Sequence, residues 1–392
     1  MGYPTWAGRL RGCLGAFLLT LLGAALWVVP VFAVTLRRGP LLQNPEDDPS
    51  TATLVWWTDV PGDSTVRFGL DPDRLAATVQ GKAGLHHEVS LEGLPAGATC
   101  YYALETGGQV LWSDAFVTAP GPHPNRPIVF TVIGDFGVQS REHRDHIKQI
   151  ERLKPDFVMT VGDNAYEQGE QSEVDENWLG LWRLLVPRTF VYPTLGNHDV
   201  KIHGGRAYFN TWVLPHNNPD KTERYYSFNF GPIHCVVLDS NQPNSREQSQ
   251  WLRKDLAGCT ASWKFVFLHH SPYSCGGFHG SSLEVRKAWS ALFEAYGVDV
   301  VFSGHDHNYQ RSRLIDDYKA GGLPGPDGKG TTYIVTGGGG SNLDEVSGCG
   351  YTKVAKSVYE FIKVTLEDRR ALLEAIDPDG HLEDRFEINK GR

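Results

Sequence analysis

The sequence has no excess of positive charge and no glycosylation acceptor. Its 37 lysine and arginine residues are outnumbered by 46 aspartate and glutamate residues, which gives a formal charge of −9. A dedicated nucleic-acid binder usually carries a basic face that neutralises phosphates, so no nucleic acid is expected as a partner. The chain contains no Asn-x-Ser/Thr sequence, so an N-linked glycan would have no attachment site. Internal repeats and low-complexity tracts are also absent from the sequence.

The apolar content is sufficient for a sizeable core. Of the 392 residues, 41% are hydrophobic and 21% are charged, which is ordinary for globular proteins. A chain of this length is expected to contain two domains and a targeting segment.

The first 36 residues have the pattern of an export signal. Arg9 and Arg11 precede an uncharged stretch, and Val31-Phe32-Ala33 offers residues that a signal peptidase accepts. We therefore predict that the protein is exported, to the cell surface, the periplasm or the medium. The alternative is an uncleaved membrane anchor, because the apolar run is long enough to span a bilayer.

Export permits disulfides, and the sequence has only six cysteines, of which five lie beyond the export signal. An odd number leaves at least one of the five unpaired. Cys100 and Cys235 lie in apolar, strand-like runs, where a thiol usually serves as a small hydrophobe. Cys275 and Cys349 lie in Gly-rich loops, so we predict a disulfide between them, with Cys259 as the main competing partner.

Residues 37–120 are predicted to form a small all-β sandwich. Short alternating runs such as residues 51–58 are separated by Pro-Gly and Gly-rich turns. Residues 91–99, Leu-Glu-Gly-Leu-Pro-Ala-Gly-Ala-Thr, resemble the late part of a fibronectin type III domain. This region contains no catalytic constellation, so we interpret it as a structural spacer.

Residues 121–392 have a different pattern, which begins in a linker rich in Pro and Gly. Apolar strand-like runs alternate with helix-like segments, so a layered α/β domain is expected. The predicted strands are residues 128–133, 157–161, 190–192, 235–238, 265–268, 298–302 and 333–335. The predicted helices are residues 141–153, 247–256 and 282–296.

Five polar clusters follow these strands, where α/β sheets gather their functional sites. They are Gly134-Asp135-Phe136-Gly137, Gly162-Asp163-Asn164-Ala165-Tyr166, Gly196-Asn197-His198-Asp199, Val266-Phe267-Leu268-His269-His270 and Gly304-His305-Asp306-His307. Each cluster alone has an ordinary explanation as a helix cap or a turn. All five in this order indicate a metal centre.

The five clusters together resemble the calcineurin-like metallophosphoesterase superfamily. Tyr166, three residues after Asp163, narrows the resemblance to the purple acid phosphatases. The similarity extends over residues 128–340, most of the second domain, and the β-sandwich resembles that of larger family members. The resemblance implies a sandwich of two sheets flanked by helices, preceded by a small all-β sandwich domain.

The resemblance also implies two metal ions, which need a bridging carboxylate, oxygen and nitrogen ligands, and open positions. Asp163 matches the bridge between the metals. The other expected ligands are Asp135, Tyr166 and His307 at the first metal, and Asn197, His269 and His305 at the second. A phenolate prefers a hard trivalent cation, so Tyr166 implies Fe(III) at the first site. The second site would accept Zn, Fe(II) or Mn.

The adjacent His269 and His270 leave one ligand position open. Val266-x-x-His269 fits the spacing of the family, so we expect His269 to be the ligand. His270 directly precedes Ser271-Pro272, as some family ligands do, and it remains the alternative.

The expected reaction is in-line attack on phosphorus by a metal-bound hydroxide. His198 matches the family histidine that contacts the phosphate. His279 resembles a family histidine about nine residues beyond the metal-binding one, although the gap here is ten residues. It would hold the phosphate or protonate the leaving group.

The favoured function is therefore hydrolysis of small phosphate monoesters, as in an acid phosphatase. A phosphodiesterase or nucleotidase of the same superfamily is the enzymatic alternative, since the core motifs serve all of them. A non-catalytic surface binding protein is a third class, but degeneration would remove ligands, and all seven expected positions are filled.

Overall fold

The computed structural model describes residues 33–316 and 330–391. The described residues from 34 onward form one compact unit. Most of the predicted export signal, residues 1–32, lies outside the described residues. Among those that are described, no helix is both long and apolar enough to cross a membrane.

The N-terminal part is an antiparallel five-stranded sheet. Its strands are β1 (Leu36–Gln43), β2 (Ala52–Gly69), β3 (Ala77–Leu91), β4 (Thr99–Thr106) and β5 (Gln109–Val117). β2 pairs with β3 along most of its length, while its other edge pairs first with β1 and then with β4. The predicted all-β class is therefore confirmed. The fibronectin-like topology and the domain boundaries remain predictions.

One predicted turn in this sheet is wrong. Pro61-Gly62, the Pro-Gly pair that follows the run 51–58, does not separate two strands, because β2 continues through it. The register between β2 and β3 shifts between Trp57 and Gly62, which marks a bulge. Proline lacks a backbone N–H, and a bulge is one of the few strand positions that tolerates this loss.

The C-terminal part contains two mixed sheets. The six-stranded sheet has the order β18-β17-β16-β6-β7-β8, and the seven-stranded sheet has the order β15-β13-β14-β12-β11-β10-β9. The strands are β6 (Ile128–Ile133), β7 (Phe157–Thr160), β8 (Phe190–Tyr192), β9 (Tyr226–Phe230), β10 (Ile233–Val237), β11 (Trp263–His270), β12 (Val300–Gly304), β13 (Tyr309–Ser312), β14 (Thr332–Thr336), β15 (Thr352–Lys356), β16 (Phe361–Glu367), β17 (Arg370–Ile376) and β18 (Leu382–Asn389).

Aromatic side chains pack the two sheets face to face. The Phe130 ring of β6 lies 5.6 Å from the Phe265 ring of β11, centroid to centroid. Phe157 of β7 lies 4.7 Å from Phe230 of β9. These rings are buried, and each contributes a large apolar area to the core. The predicted sandwich of two sheets is therefore confirmed.

Helices cover the outer faces of the sandwich. The α-helices are α1 (Arg141–Leu153), α2 (Gln171–Glu173), α3 (Arg206–Thr211), α4 (Arg246–Gly258), α5 (Leu283–Val285) and α6 (Ala291–Ala295). π-Helical turns at Val174–Leu179 and Arg286–Ser290 and a 3₁₀ turn at His203–Gly205 complete the described helical segments. α4 buries Trp251, Leu252 and Leu256 in the same cluster as Val266 of β11.

Helix α1 begins and ends where its sequence predicts. The Ser140 side chain accepts a hydrogen bond from the His143 N–H, which caps the first turn. Lys154, in the left-handed conformation, ends the helix. α1 turns His143, His146, Ile147 and Ile150 toward the core.

His143 is buried in the core as a neutral imidazole. Its Nδ1 donates to the Val138 carbonyl at 2.8 Å, and its Nε2 accepts from the Trp182 indole N–H at 2.9 Å. Burial lowers the pKa of His143 from 6.5 to about 3. A histidine with a depressed pKa stabilises the fold above pH 6.5, and this contribution is lost as pH falls toward the folded pKa.

We expect His143→Gln to flatten the dependence of stability on acidity. Between pH 7.5 and 5, the free energy of unfolding should fall by about 2 kcal/mol less in the variant than in the wild type. Urea denaturation at the two pH values measures this difference. Equal losses in both proteins would show that His143 becomes protonated without penalty.

The predicted disulfide between Cys275 and Cys349 is confirmed, with Cα atoms 6.0 Å apart. It joins the segment after β11 to the segment before β15. Cys100 and Cys235 are buried free thiols, and Cys259 is a half-buried one. Burial raises the pKa of Cys100 to about 11, which suits a packing role rather than a reactive one.

Candidate metal centre

Three of the predicted ligands lie within three residues of the end of a strand and have a rare backbone conformation. The φ angles are 57° at Asp135, 52° at Asp163 and 71° at His305. Residues other than glycine seldom adopt positive φ, and such strain concentrates at functional sites. This conformation turns the backbone sharply just beyond the end of each of these strands.

Two motif glycines allow the ligand-bearing loops to approach each other. A Cβ at Gly304 would overlap the Asp135 carboxylate, and one at Gly196 would overlap the main chain and carboxylate of Asp163. Even an alanine at either position would therefore displace a carboxylate of the centre.

One group of donors forms around Asp135. The Tyr166 hydroxyl lies 3.2 Å from Asp135 Oδ1 and 3.2 Å from His307 Nε2. His307 Nε2 is 3.4 Å from the same carboxylate oxygen. The three residues assigned by sequence to the first metal therefore present their donor atoms to one point.

A second group forms around His269. Its Nε2 lies 2.9 Å from Asn197 Oδ1 and 3.2 Å from His305 Nδ1. These three residues are those assigned by sequence to the second metal. The described structure thus brings the members of each predicted ligand set close to one another.

Asp163 lies between the two groups. Its Oδ1 is 3.5 Å from His269 Nε2, and Asp135, Asp163 and His269 have donor atoms within 4.8 Å of one another. The carboxylate of Asp163 also contributes to raising the pKa of Tyr166. This position suits a carboxylate shared by two cations.

Backbone carbonyls set the orientation of two imidazoles. His269 Nδ1 donates to the Val161 carbonyl at 2.8 Å, and His307 Nδ1 donates to the Asn342 carbonyl at 2.8 Å. When Nδ1 carries the proton, the lone pair of a neutral ring is on Nε2. In both residues Nε2 is the atom that faces the other donors, as metal ligation requires.

The chemistry of the donors fits two cations of different hardness. Burial and the nearby carboxylates of Asp135 and Asp163 raise the pKa of Tyr166 well above its usual value. A phenolate at this position therefore needs a strongly charged cation beside it. The second group, with two imidazoles and an amide oxygen, suits a divalent transition metal.

His270 lies beside the centre but has another partner. Ser240 Oγ accepts the N–H groups of His269 and His270, at 3.1 and 2.9 Å, and lies 2.9 Å from His270 Nδ1. The Ser240 hydroxyl can therefore donate its proton to His270 Nδ1. His269, His270 and His305 also have nitrogens within 4.8 Å of one another, so both members of the doublet reach the centre.

We expect His269→Ala to empty the second metal site, whereas His270→Ala should retain both metals. Loss of a residue beside the ligands typically lowers metal affinity or activity by about 10–100-fold without abolishing binding. Metal content per chain, measured by mass spectrometry after gel filtration, distinguishes the two variants. Equal metal content in the two variants, or a higher metal content in His269→Ala than in His270→Ala, would contradict the assignment of His269.

The two histidines predicted to contact substrate also border the centre. The His198 ring lies 4.5 Å from the Tyr166 ring, and His198 Nδ1 donates to the Glu167 carbonyl at 2.8 Å. The His279 ring lies 3.8 Å from the His305 ring and 6.5 Å from the His307 ring. All nine residues named from the sequence are thus gathered at one edge of the sandwich.

The sequence did not reveal the buried carboxylates that support this centre. Asp199 accepts hydrogen bonds from the Gly196 N–H, the Asn164 N–H and the Asn164 side chain, at 2.8, 3.0 and 2.8 Å. Asp306 Oδ1 accepts from the N–H groups of His279 and Gly280. Both carboxylates stand inside the recognised motifs, but their main-chain partners become visible only in the fold.

Comparison with known proteins agrees with this geometry. The family described as calcineurin-like phosphoesterase matches residues 128–309. Purple acid phosphatase 22 of Arabidopsis thaliana is 30% identical over 305 residues, covering 71% of this chain and 66% of that protein. The Fe(3+)-Zn(2+) purple acid phosphatase 12 of the same plant is 27% identical over 327 residues, covering 74% and 69%.

The fold has a solved counterpart. The purple acid phosphatase PPD1 from yellow lupin (Lupinus luteus) seeds superposes with a TM-score of 0.79 at 20% identity, covering 89% of this chain and 74% of that one. The chain covers 54% of the length of purple acid phosphatase 15 and 74% of that of purple acid phosphatase 23, both of Arabidopsis thaliana. It belongs to the calcineurin-like phosphoesterase superfamily and, within it, to the purple acid phosphatase family.

Proposed function

We propose that the protein is an exported acid phosphatase that hydrolyses small phosphate monoesters at a binuclear metal centre. The observation that carries this proposal is the convergence of two groups of donors on either side of one buried carboxylate, Asp163. Such an arrangement has the elements of a two-metal hydrolytic site.

The proposed ligands follow the two groups. Asp135, Tyr166 and His307 would hold Fe(III), while Asn197, His269 and His305 would hold Zn, Fe(II) or Mn, with Asp163 shared. When bound, the metal pair would supply an activated water nucleophile and neutralise charge on the phosphoryl oxygens.

The chain's own hydrogen bonds hold the acidic ligands in place. The His305 N–H donates to Asp135 Oδ2 at 3.0 Å, and the His198 N–H donates to Asp163 Oδ1 at 2.9 Å. A residue of the second group therefore orients the carboxylate of the first group, and His198 orients the shared carboxylate. A site held in this way is organised before the substrate arrives.

His198 is proposed to bind the substrate phosphate. Because its Nδ1 is engaged by the Glu167 carbonyl, Nε2 is the nitrogen that remains for the substrate. Nε2 lies 3.9 Å from Asp163 Oδ2, and the side chain is 20% exposed. It is thus both accessible and close to the shared carboxylate.

His279 is proposed to protonate the leaving alkoxide. Its ring packs on His305 from the solvent side, and its backbone is held by Asp306. A positioned general acid of this kind typically contributes about 10²–10⁴-fold to the rate.

Two further features support the proposal. The Cys275–Cys349 disulfide is typical of exported proteins. Tyr166 favours the monoesterase over the alternative diesterase, because it is the residue that distinguishes purple acid phosphatases from the wider superfamily.

The direct test uses the purified protein stripped by a chelator and reloaded with iron and zinc. It should hydrolyse phenyl phosphate faster than diphenyl phosphate, and the chelated protein should hydrolyse neither. Faster turnover of the diester would support the phosphodiesterase alternative. No turnover of either ester by the reloaded protein would contradict the proposal.

A further inference from the structure

The two most exposed large apolar side chains of the described residues lie in one short segment that contains His279. Phe278 is 77% exposed and Leu283 is 67% exposed. Both belong to residues 275–283, which we term the lip. Scattered surface hydrophobes are common in soluble proteins, but two side chains this exposed within six residues single out this segment.

The lip is held firmly at several points. Cys275 is joined to Cys349, and the Gly277 N–H donates to the Glu345 carbonyl at 3.1 Å. The N–H groups of His279 and Gly280 donate to the buried Asp306 carboxylate at 3.3 and 3.1 Å. The backbone on both sides of Phe278 is therefore fixed to the main body, and its ring is presented to solvent from an anchored loop.

Ring contacts connect Phe278 to the proposed centre. The Phe278 ring lies 4.5 Å from the His279 ring in an edge-to-face arrangement, and the His279 ring lies 3.8 Å from the His305 ring. If His279 meets the leaving oxygen of the ester, the organic group attached to that oxygen has Phe278 beside it.

We propose that Phe278 is a specificity residue that packs against the leaving group, so that the site favours phosphate monoesters of aromatic alcohols. This inference rests on the proposed function. An aromatic ring on the leaving group would cover apolar surface that is otherwise exposed, and paired rings attract each other beyond simple burial. Because the lip is anchored, it loses little conformational entropy when the leaving group binds.

The first test measures binding without turnover. The metal-loaded protein is titrated calorimetrically with phenylphosphonate and with methylphosphonate, which share the phosphorus group and differ in the ring. Phe278→Ala should weaken phenylphosphonate binding by about 3–10-fold and leave methylphosphonate binding unchanged. Phe278→Trp should retain the affinity for phenylphosphonate, and Leu382→Ala, which removes an exposed leucine from β18, should change neither ligand.

The second test compares kcat/KM for 2-naphthyl phosphate and glycerol 2-phosphate, each variant being compared with the wild type on the same ester. Phe278→Ala should lower the value for the naphthyl ester only. An equal loss on both esters, or no loss on either, would overturn the inference. If the wild type hydrolyses neither ester, the proposed function itself fails, while the two phosphonates still report on Phe278.

Discussion

Replacement of Asp163 by alanine is expected to remove both metal ions and to abolish hydrolysis. The side chain is buried between the two groups of donors, with Oδ1 3.5 Å from His269 Nε2. Without the shared carboxylate, the remaining ligands would have to hold two cations close together with less negative charge between them. We expect metal content to fall from two ions per chain to fewer than one, and kcat/KM to fall by more than about 100-fold, beyond the usual effect of residues around the ligands.

Asp199→Asn is the comparison for this variant. Asp199 is buried, accepts three hydrogen bonds from Gly196 and Asn164, and contributes no atom to the donor groups. The Asp199→Asn substitution should weaken metal binding by about 10–100-fold while leaving both metal sites able to fill at high metal concentration. If Asp163→Ala retained two tightly bound ions, the shared position of Asp163 would be contradicted.

Replacement of His279 by alanine is expected to keep both metals and to slow the hydrolysis of alkyl esters by about 10²–10⁴-fold. Alkoxides are poor leaving groups and need a proton in the transition state, whereas activated aryl phosphates need it less. The loss should therefore be smaller for 4-nitrophenyl phosphate than for glycerol 2-phosphate. Steady-state kinetics on the two esters measure this difference.

The selectivity expected of His279→Ala is opposite to that expected of Phe278→Ala, although the two residues are adjacent. If either substitution disordered the whole lip, hydrolysis of both esters would slow in both variants. Opposite selectivity would instead separate the loss of a proton donor, His279, from the loss of a packing contact, Phe278. If His279→Ala raised KM equally for both esters and left kcat unchanged, His279 would be a phosphate-binding residue instead.

Much of the C-terminal fold was predictable because each element carries its own local signal. The β6 strand and helix α1 have the bounds expected from sequence, since an apolar run and a capping serine define them. The predicted helix at residues 282–296 is instead divided by the π turn Arg286–Ser290. A π turn changes which backbone groups pair, and hydrophobic periodicity does not encode that choice.

The convergence of the nine predicted side chains was predictable for a different reason. Parallel strands bring their carboxyl ends to one edge, so ligands distant in sequence become neighbours. The supporting contacts were not predictable. Ser240 accepts two N–H groups from β11, and Asp306 accepts two from the lip, and neither contact leaves a sequence pattern. The exposure of Phe278 likewise depends on where the disulfide and Asp306 hold the lip.

The most direct test of the account is metal analysis of the purified protein together with its visible spectrum. We predict two metal ions per chain, at least one of them iron, and a visible charge-transfer band that disappears in a metal-replete Tyr166→Phe variant. The phenyl ring cannot donate charge to iron, so the colour should vanish while the fold and some activity remain. A single metal per chain, or an unchanged visible band in Tyr166→Phe, would contradict the proposed binuclear centre with a tyrosinate ligand.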